Sequence, residues 1–184
     1  MPAVAKSQLT VDEFLASAAG RDGRWELQEG ELVAMAPERV AHLETKAEAL
    51  IALRSAIRRA NAPCHAVPDG ATVRIAARTA FEPDALVYCG PRLPPNAIEI
   101  PEPLIVVEVL SEGTAARDHG VKLAGYFSLP SVAHYLILDP DSRTAIHHKR
   151  GQGDLIETRI LKDGQLRLDP PGLEIPIQDL FAPV

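Results

Sequence analysis

The chain has 184 residues, of which 46% are hydrophobic and 24% charged, a composition typical of one globular domain with its own core. Its net charge of −6 disfavours a broad basic surface for nucleic acid but leaves room for a local basic groove. No apolar run approaches the roughly 20 residues that span a bilayer, and the N-terminus lacks a signal-peptide pattern. We therefore expect a single domain over residues 1–184, cytoplasmic and without a membrane partner.

The N-terminal third predicts two helices and a hairpin. Thr10 and Glu13 have the spacing of a capping box, so a short helix should begin there. Residues 25–35 alternate apolar and polar side chains around a central turn, which is the pattern of a β-hairpin. The longest helix is predicted over residues 38–60, and its apolar stripe should face the core. That stripe consists of Leu43, Ala47, Leu50, Leu53 and Ile57.

The middle of the chain is rich in short β segments, which predicts an α/β or α+β fold in which helices cover a sheet. The proline-rich stretch 90–103 is predicted to be a surface loop. Cys64 and Cys89 are too few and too isolated to indicate a zinc site or a disulfide framework, so we interpret them as small core residues. The predicted strands cover residues 64–67, 71–75, 85–88, 104–110, 134–138, 144–148, 155–161 and 173–177.

The most informative stretch is a predicted buried strand followed by a helix. Residues 104–107 are continuous and apolar, and Glu108 is set into the end of this run. A buried carboxylate costs on the order of several kcal/mol unless it finds a metal, a hydrogen-bond donor or a cation. The next helix carries Asp118, Lys122 and Tyr126 at every fourth position, along one face. The lysine can therefore return toward the acid, although a solvated acid beside a salt-bridged surface helix explains the same pattern.

Two carboxylates are placed to share a cation. Asp84 opens one predicted strand and Glu108 lies late in another, and acids on neighbouring strands can hold one hard divalent ion such as Mg²⁺. A nearby lysine, for which Lys122 is the candidate, can orient the attacking water or neutralise charge on a phosphate. The spacing of these three residues is common in proteins, so by itself it is only a weak indication of a metal-dependent hydrolase.

The sequence around these acids is more specific than their spacing. In chain order it reads Trp25-Glu26-Leu27 with Gly30-Glu31, His42, Pro83-Asp84, Glu108-Val109-Leu110-Ser111, Thr114, Asp118, Lys122, Tyr126 and Tyr135-Leu136-Ile137-Leu138-Asp139-Pro140. This ordered set resembles the large bacterial family described as putative restriction endonucleases, within the PD-(D/E)XK nuclease superfamily. The resemblance extends from about Leu9 to Phe181.

The resemblance implies a restriction-endonuclease-like fold: a central mixed sheet flanked by helices, with extra antiparallel strands and the site at one end. It implies that Asp84 and Glu108 bind Mg²⁺ or Mn²⁺ and that the substrate is DNA. The superfamily's lysine usually lies two residues after the glutamate, where this chain has Leu110, and the matching residue here is Lys122 on the helix. Members commonly act as homodimers, so we expect a homodimer in which proline-rich loops and Leu180-Phe181 form the contact.

Four further residues are additional site candidates, each with a structural alternative. Glu26 lies in the hairpin, where it faces either a metal or solvent. His42 lies at the edge of the helix stripe, where a core or surface histidine is the commoner outcome. Ser111 is better explained as a helix cap than as a site residue, and Asp118 can bond the lysine one turn away and hold it in place.

Other polar residues are predicted to be structural. Tyr126 is interpreted as a packing residue of the helix. His147-His148 lies at a strand end with no acid nearby in the sequence, so we expect it on the surface. Asp139 precedes Pro140 and is interpreted as a turn residue.

Three functions are compatible with this pattern. The leading one is a metal-dependent endonuclease acting on DNA, the second is a non-catalytic binding or scaffold module that kept the fold, and the third is an enzyme acting on another phosphoester. Leu110 and the acidic net charge favour the scaffold, whereas intact Asp84, Glu108 and Lys122 favour an enzyme. The enzyme requires two carboxylates that can share a cation and a lysine ammonium within about 3–6 Å of one of them.

Overall fold

Three α-helices and three sheets build the part of the chain that the structure, a computed structural model, describes: residues 8–18, 20–111 and 116–182. No helix in these ranges is long and apolar enough to cross a bilayer. In chain order the elements are α1 (Val11–Ala18), β1 (Trp25–Gln28), β2 (Glu31–Ala34), α2 (Val40–Ala60), β3 (Cys64–Pro68), β4 (Val73–Ala76), β5 (Thr79–Phe81), β6 (Ala85–Cys89), β7 (Pro103–Val109), α3 (Ala116–Ser128), β8 (His134–Asp139), β9 (Thr144–Arg150), β10 (Ile156–Leu161), β11 (Gln165–Leu168), β12 (Leu173–Pro176) and a 3₁₀ helix (Ile177–Leu180).

Six strands form the central sheet, in the order β10-β9-β8-β7-β6-β3. Strands β7 and β8 are parallel and are connected through α3, and the other neighbouring pairs are antiparallel. Strand β7 lies inside the sheet with most of its side chains buried, as expected for a β-branched strand that is covered on both faces. The prediction that β6, β7 and β8 share one sheet, with α2 packed on it, is confirmed.

Each face of the central sheet is covered by one main helix. Leu53 of α2 packs in the same core as Val107 of β7, and the β11–β12 hairpin and the 3₁₀ helix complete this core. Tyr126 of α3 packs with Val106 in a separate core on the opposite face. Adjacent residues of β7 therefore enter different cores, which follows from the alternation of side chains along a strand.

A second sheet, of order β2-β1-β5-β4, brings the N-terminal segment to the site. The predicted hairpin is β1–β2, in which Trp25 pairs with Ala34. Helix α1 begins with the predicted capping box, since the Thr10 amide donates to a Glu13 carboxylate oxygen at 2.8 Å and the Glu13 amide donates to the Thr10 hydroxyl at 3.3 Å. Strand β1 carries Glu26, whose side chain is buried rather than solvated.

Helix α2 differs from its prediction in its first turns. It begins at Val40, and its buried positions there are His42 and Lys46, whereas Leu43 is 49% exposed. The predicted apolar stripe is wrong in this half because the helix passes over the buried carboxylate of Asp84, which Lys46 neutralises at 3.0 Å. In the last turns the predicted stripe faces the core, as expected.

Cys64 and Cys89 form a disulfide, so the prediction that they take part in no disulfide is wrong. Cys64 lies in the core as predicted, whereas Cys89 is exposed. The two residues face each other in register on the neighbouring antiparallel strands β3 and β6. Their spacing in the sequence gives no sign of the bond, because only strand pairing brings them together. Disulfides persist mainly in oxidising compartments, so this bond does not favour the expected cytoplasmic location.

Two predictions about exposed residues are also wrong. His147 is buried, and its Nε2 lies 2.9 Å from Nδ1 of His134 on the neighbouring strand. His134 Nε2 lies 2.9 Å from the Pro170 carbonyl, so this nitrogen donates and His134 Nδ1 accepts from His147. Leu180 and Phe181 lie in the core, so they are not available as a contact between two copies.

Candidate active site

Asp84 and Glu108 meet at one end of the central sheet. Ala85 of β6 lies opposite Val107 of β7, so continuing this register by one residue places Asp84 opposite Glu108. The Asp84 amide donates to the Val107 carbonyl at 3.0 Å, and the Val109 amide donates to Asp84 Oδ2 at 2.7 Å. Both carboxylates are buried. The sheet register thus brings together the two acids that the sequence placed on separate strands.

Lys122 reaches Glu108 from the helix that follows β7. Its Nζ lies 3.0 and 3.1 Å from the two carboxylate oxygens of Glu108 and 2.9 Å from Glu26 Oε1, which confirms the expected contact within 3–6 Å. The Tyr126 hydroxyl donates to Glu108 Oε1 at 2.7 Å, so this tyrosine does more than pack. We call these four residues the Lys122 cluster.

Opposing charges fix the protonation states in the Lys122 cluster. Burial lowers the pKa of Lys122, but Glu108 and Glu26 outweigh burial and raise this pKa above its ordinary value. Burial raises the pKa of Glu108 to about 7; Lys122 opposes this rise, and the nearby carboxylates of Asp84 and Glu26 add to it. Burial and the carboxylates of Glu108 and Glu26 raise the pKa of Tyr126. At neutral pH the lysine is charged, the tyrosine keeps its proton, and Glu108 is near its midpoint.

A second buried lysine, Lys46 on α2, neutralises Asp84 from the other helix. Lys46 Nζ lies 3.0 Å from Asp84 Oδ1, 2.9 Å from Glu38 Oε1 and 2.6 Å from Asp69 Oδ2. Arg24 Nη1 joins the same acids, at 3.0 Å from Glu38 and 2.9 Å from Asp69. We call these five residues the Lys46 cluster.

Lys46 and Glu38 were not among the site residues predicted from the sequence. A signal was present in helix spacing, because His42, Lys46 and Leu53 lie along one face of α2 and Leu53 belongs to the core. A lysine in line with core residues has to find an acid when it is buried. The position of Glu38, just before the helix, becomes meaningful only once the fold places it beside that lysine.

The charges of the Lys46 cluster also support one another. Burial raises the pKa of Asp84. The contacts with His42 and Lys46 and the hydrogen bond from the Val109 amide outweigh burial, so this pKa is lowered. Burial lowers the pKa of Lys46, but Asp84, Asp69 and Glu38 outweigh it and raise this pKa. Asp84 is therefore ionised at neutral pH, with Lys46 as its counter-ion.

Glu38, His42 and Asp84 form a set of side chains that fits a metal ion. One ligand atom from each lies within 4.8 Å of the others. His42 is 4% exposed, and neither of its ring nitrogens has a hydrogen bond within the described residues. Its Nε2 lies 3.5 Å from Asp84 Oδ2 and 3.9 Å from Glu38 Oε1. Carboxylate oxygens suit Mg²⁺, and the imidazole extends the choice to transition metals. Lys46 contacts the carboxylates of Asp84 and Glu38, and Lys122 contacts both oxygens of Glu108, so a metal ion in either place would compete with a lysine.

The two remaining candidates stay predictions. Ser111 is half-buried two residues beyond β7, and its expected capping role involves residues 112–115, including Thr114, which lie outside the described residues. Asp118 belongs to α3, but its side chain lies outside the described part of the chain.

Known proteins resemble this chain in sequence and in fold. Residues 11–179 match the family described as "Uma2: Putative restriction endonuclease". The uncharacterized protein slr1290 of Synechocystis sp. is 32% identical over 100 residues, covering 54% of this chain and 53% of that relative, so the match spans about half of its length. A crystal structure of a "putative nuclease belonging to DUF820" from Anabaena variabilis has a TM-score of 0.72 at 19% identity, covering 94% of this chain and 97% of the other.

These similarities establish the fold and the family of the chain. At 19% identity the structural match shows the fold alone, and it confirms the nuclease-like mixed α+β architecture predicted from the sequence. The family match extends from α1 into the 3₁₀ helix and includes Asp84, Glu108 and Lys122. The chain therefore belongs to the Uma2 family of putative restriction endonucleases.

Proposed function

We propose that this protein is a divalent-metal-dependent endonuclease that hydrolyses phosphodiester bonds in DNA. The observation that carries the proposal is the meeting of Asp84, Glu108 and Lys122 at one end of the central sheet. Two acids on neighbouring strands and a lysine from the next helix supply the charges that phosphoryl transfer requires. Membership of the Uma2 family supports the same reaction class.

Asp84 is the central residue of the proposed metal site, for either Mg²⁺ or Mn²⁺. Glu38 and His42 would complete the site on the α2 side, and Glu108 is the further ligand that the family resemblance implies. When bound, the cation would polarise the scissile phosphate and lower the pKa of a bound water. Lys46 now neutralises Asp84, so binding of a cation would compete with this lysine.

Lys122 is proposed to act as an electrostatic clamp on the phosphate. Its raised pKa keeps the ammonium charged, so it can stabilise negative charge but is a poor base. Glu26 and Glu108 hold Nζ from two sides at 2.9 and 3.0 Å, which fixes its position before substrate arrives.

Glu108 is the group best placed to take up or release a proton. Its pKa of about 7 suits general acid–base chemistry near neutral pH. Hydrogen bonds from Lys122 and Tyr126 keep its carboxylate in one orientation. Both this role and metal binding use the ionised carboxylate, so we expect activity to rise as the pH increases through 7.

A catalytically inactive binding or scaffold protein is the alternative function. Lys46 favours it, because this lysine already supplies a positive charge 3.0 Å from Asp84 without any metal. Leu110 at the usual lysine position favours it as well. Such a protein would bind DNA or another partner without cutting it.

Metal titration and DNA cleavage distinguish the two functions. Calorimetry with Mg²⁺ and Mn²⁺ should show binding to the wild type and to Lys122→Met, but not to Asp84→Asn. Cleavage of plasmid and oligonucleotide DNA should require a metal and should be lost in both variants. A wild type that binds neither metal and cuts neither DNA would leave the scaffold as the better function.

A further inference from the structure

A cavity of about 420 Å³ adjoins the Lys46 cluster. This volume is within the range of small-ligand sites, about 300–1,000 Å³. Its wall shares Arg24 and Asp69 with the Lys46 cluster. The rest combines apolar and aromatic side chains with a second arginine, Arg21, and with Thr72 and Glu82, whose carboxylate is paired with Arg24 at 2.7 Å. The proposed metal site leaves this cavity unused.

Two aromatic side chains, Phe14 and Trp25, line one side of the cavity. The indole Nε1 of Trp25 donates to the Asp22 carbonyl at 2.8 Å, which orients the ring. The guanidinium of Arg21 lies 5.4 Å from the centre of the Phe14 ring. Aromatic faces beside guanidinium groups are the surfaces on which nucleic-acid bases stack.

The cavity is connected to Asp84 through charged contacts. Arg24 in the cavity wall lies 2.9 Å from Asp69 and 3.0 Å from Glu38. Both acids contact Lys46, which in turn lies 3.0 Å from Asp84. Three successive ion pairs therefore link the cavity wall to Asp84.

We propose that this cavity binds one unpaired nucleobase of the DNA strand whose phosphate reaches Asp84. The inference rests on the proposed nuclease function and narrows its substrate. A base inside a duplex is stacked between its neighbours, so its faces become available to Trp25 only when it is single-stranded or extruded. Single-stranded or locally opened DNA is then the preferred substrate.

The fluorescence of Trp25 tests the proposal directly, because the chain contains one tryptophan. In EDTA, deoxyadenosine 5′-monophosphate should quench it saturably, whereas deoxyribose 5-phosphate, which lacks the base, should not. Asp163→Asn, which changes an exposed acid outside the cavity lining, should be quenched like the wild type, and quenching in EDTA shows that base binding needs neither metal nor cleavage. Quenching without any DNA cleavage would support the cavity while counting against the nuclease.

A pair of arginine variants locates the binding. Arg21→Ala should weaken nucleotide binding about tenfold, because it removes the guanidinium from the stacking surface. Arg78→Ala, which changes an exposed arginine outside the cavity lining, should not alter binding. Absence of saturable quenching, equal quenching by deoxyribose 5-phosphate, or equal affinities of the two variants would overturn the proposal.

An independent observation concerns β10, the outermost strand of the central sheet. Its inner edge pairs with β9, and within the described residues no strand pairs with its outer edge. Ile160 on this strand is 69% exposed. An open edge with an exposed apolar residue is a template for another strand.

Two hydrogen bonds show which backbone groups of β10 face outward. The Arg150 amide donates to the Ala133 carbonyl beside β8 at 2.9 Å, and the next amide, of Gly151, donates to the Leu155 carbonyl beside β10 at 2.8 Å. In an antiparallel pair, the backbone groups of every second residue bond to the partner strand, and those of the residues between them face the other way. Because Leu155, an odd-numbered residue, bonds toward the β9 side, the odd-numbered residues of β10 bond to β9. The residues whose backbone groups face outward are Ile156, Thr158 and Ile160.

The side chains of β10 are complementary to a second copy of the same strand. If two copies pair antiparallel around a two-fold axis at Thr158, Glu157 of each lies opposite Arg159 of the other, and Ile156 lies opposite Ile160. Opposite charges and apolar pairs placed across strands stabilise such a ladder. A two-fold axis makes every favourable pair occur twice.

We infer that β10 forms the dimer contact, joining the central sheets of two copies into one. Light scattering should show a dimer for the wild type and for Glu44→Arg, which makes the same charge change on an exposed position of α2. Glu157→Arg and Arg159→Glu should each weaken the dimer about tenfold, because like charges then face each other. The double variant E157R/R159E should restore it.

A proline provides a test that does not depend on charge. Thr158→Pro removes an outward-facing amide that β9 does not use, so the variant should fold, as checked by its melting curve, and should be monomeric. A monomeric wild type, a dimer that tolerates both charge variants, or a dimer that tolerates Thr158→Pro in folded protein would each overturn the inference.

Discussion

The Lys122 cluster and the Lys46 cluster contain the same kinds of charged group but differ in how completely they are enclosed. Lys122 is surrounded by Glu26 and Glu108, both buried, and the Tyr126 hydroxyl occupies a further acceptor position on Glu108. Each charge in this cluster has a buried partner of opposite sign. The cluster is therefore organised before any ligand binds.

The Lys46 cluster is open by comparison. Lys46 contacts Asp84, which is buried, and Glu38, but its third partner, Asp69, is partly exposed and lines the cavity. Beside it, the ring nitrogens of the buried His42 have no hydrogen bond within the described residues. Unused ligand atoms and an adjoining cavity are the features of a binding region. The comparison indicates that a cation and a base would enter on the Asp84 side, toward a lysine already fixed on the Glu108 side.

The largest expected effect is on stability, when Lys122 is replaced by methionine. At pH 8 the variant leaves Glu108 and Glu26 buried without a cation, so the free energy of unfolding should fall by about 3–5 kcal/mol. Lys46→Met is the matched variant and should cost less, because Asp69 remains partly in water. Urea unfolding of both proteins measures the difference. Equal losses would show that the two clusters are enclosed alike.

The second effect is on cleavage, when Asp84 is replaced by asparagine. Loss of the central metal ligand should lower the cleavage rate by about 10²–10³-fold, equivalent to roughly 3–4 kcal/mol of transition-state stabilisation. The exposed acid Asp163, changed to asparagine, serves as the control and should cleave like the wild type. Rates at saturating Mn²⁺ measure the effect, and unchanged cleavage by Asp84→Asn would rule out this metal site.

The third effect concerns His42, and it depends on whether a metal is bound. Without metal, His42→Leu should change the free energy of unfolding little, because it removes a buried imidazole without hydrogen bonds but also removes the support that His42 gives to the ionised Asp84. With metal, its affinity should be about tenfold weaker, because one ligand is lost. Melting curves with and without Mn²⁺ report both quantities. A variant that is destabilised without metal but binds it normally would show a purely structural histidine.

The smallest effect concerns the buried pair of His134 and His147, which, unlike the two lysine clusters, contains no carboxylate. Burial lowers the pKa of His134 to about 4 and that of His147 to about 3, from an ordinary value of 6.5. Because both pKa values are depressed, the stability that depends on neutral histidines is complete above pH 6.5 and is lost as the pH falls toward 4 and 3.

The variant His147→Gln isolates this pH dependence. Its side-chain amide can still donate to His134 Nδ1 but does not titrate. Between pH 6.5 and 5.5 the wild type should lose about 1 kcal/mol more unfolding free energy than the variant. Urea unfolding at several pH values measures this, and parallel curves for the two proteins would show that His147 titrates normally in the folded state.

Much of the fold could be predicted because its signals are local. The capping box at Thr10, the hairpin around Glu29 and the apolar run before Glu108 each depend on neighbours within a few residues. The site was predicted in part for the same reason: Lys122 and Tyr126 lie one turn apart, so both can reach one carboxylate on the preceding strand.

The sequence by itself determined the helices, most of the strands and the residues that approach Glu108 from the next helix, since helix and strand periods set these directions. It did not predict β5 or β11, which are only three and four residues long. Only the tertiary structure decided that Lys46 and Glu38 join Asp84 and that the cysteines pair. It also decided that His147 is buried against His134. These contacts join segments that are distant in the chain, and they depend on strand register and on which face of a helix meets the sheet. A single-residue shift in register reverses the direction of every side chain on a strand, and no local pattern in the sequence specifies that choice.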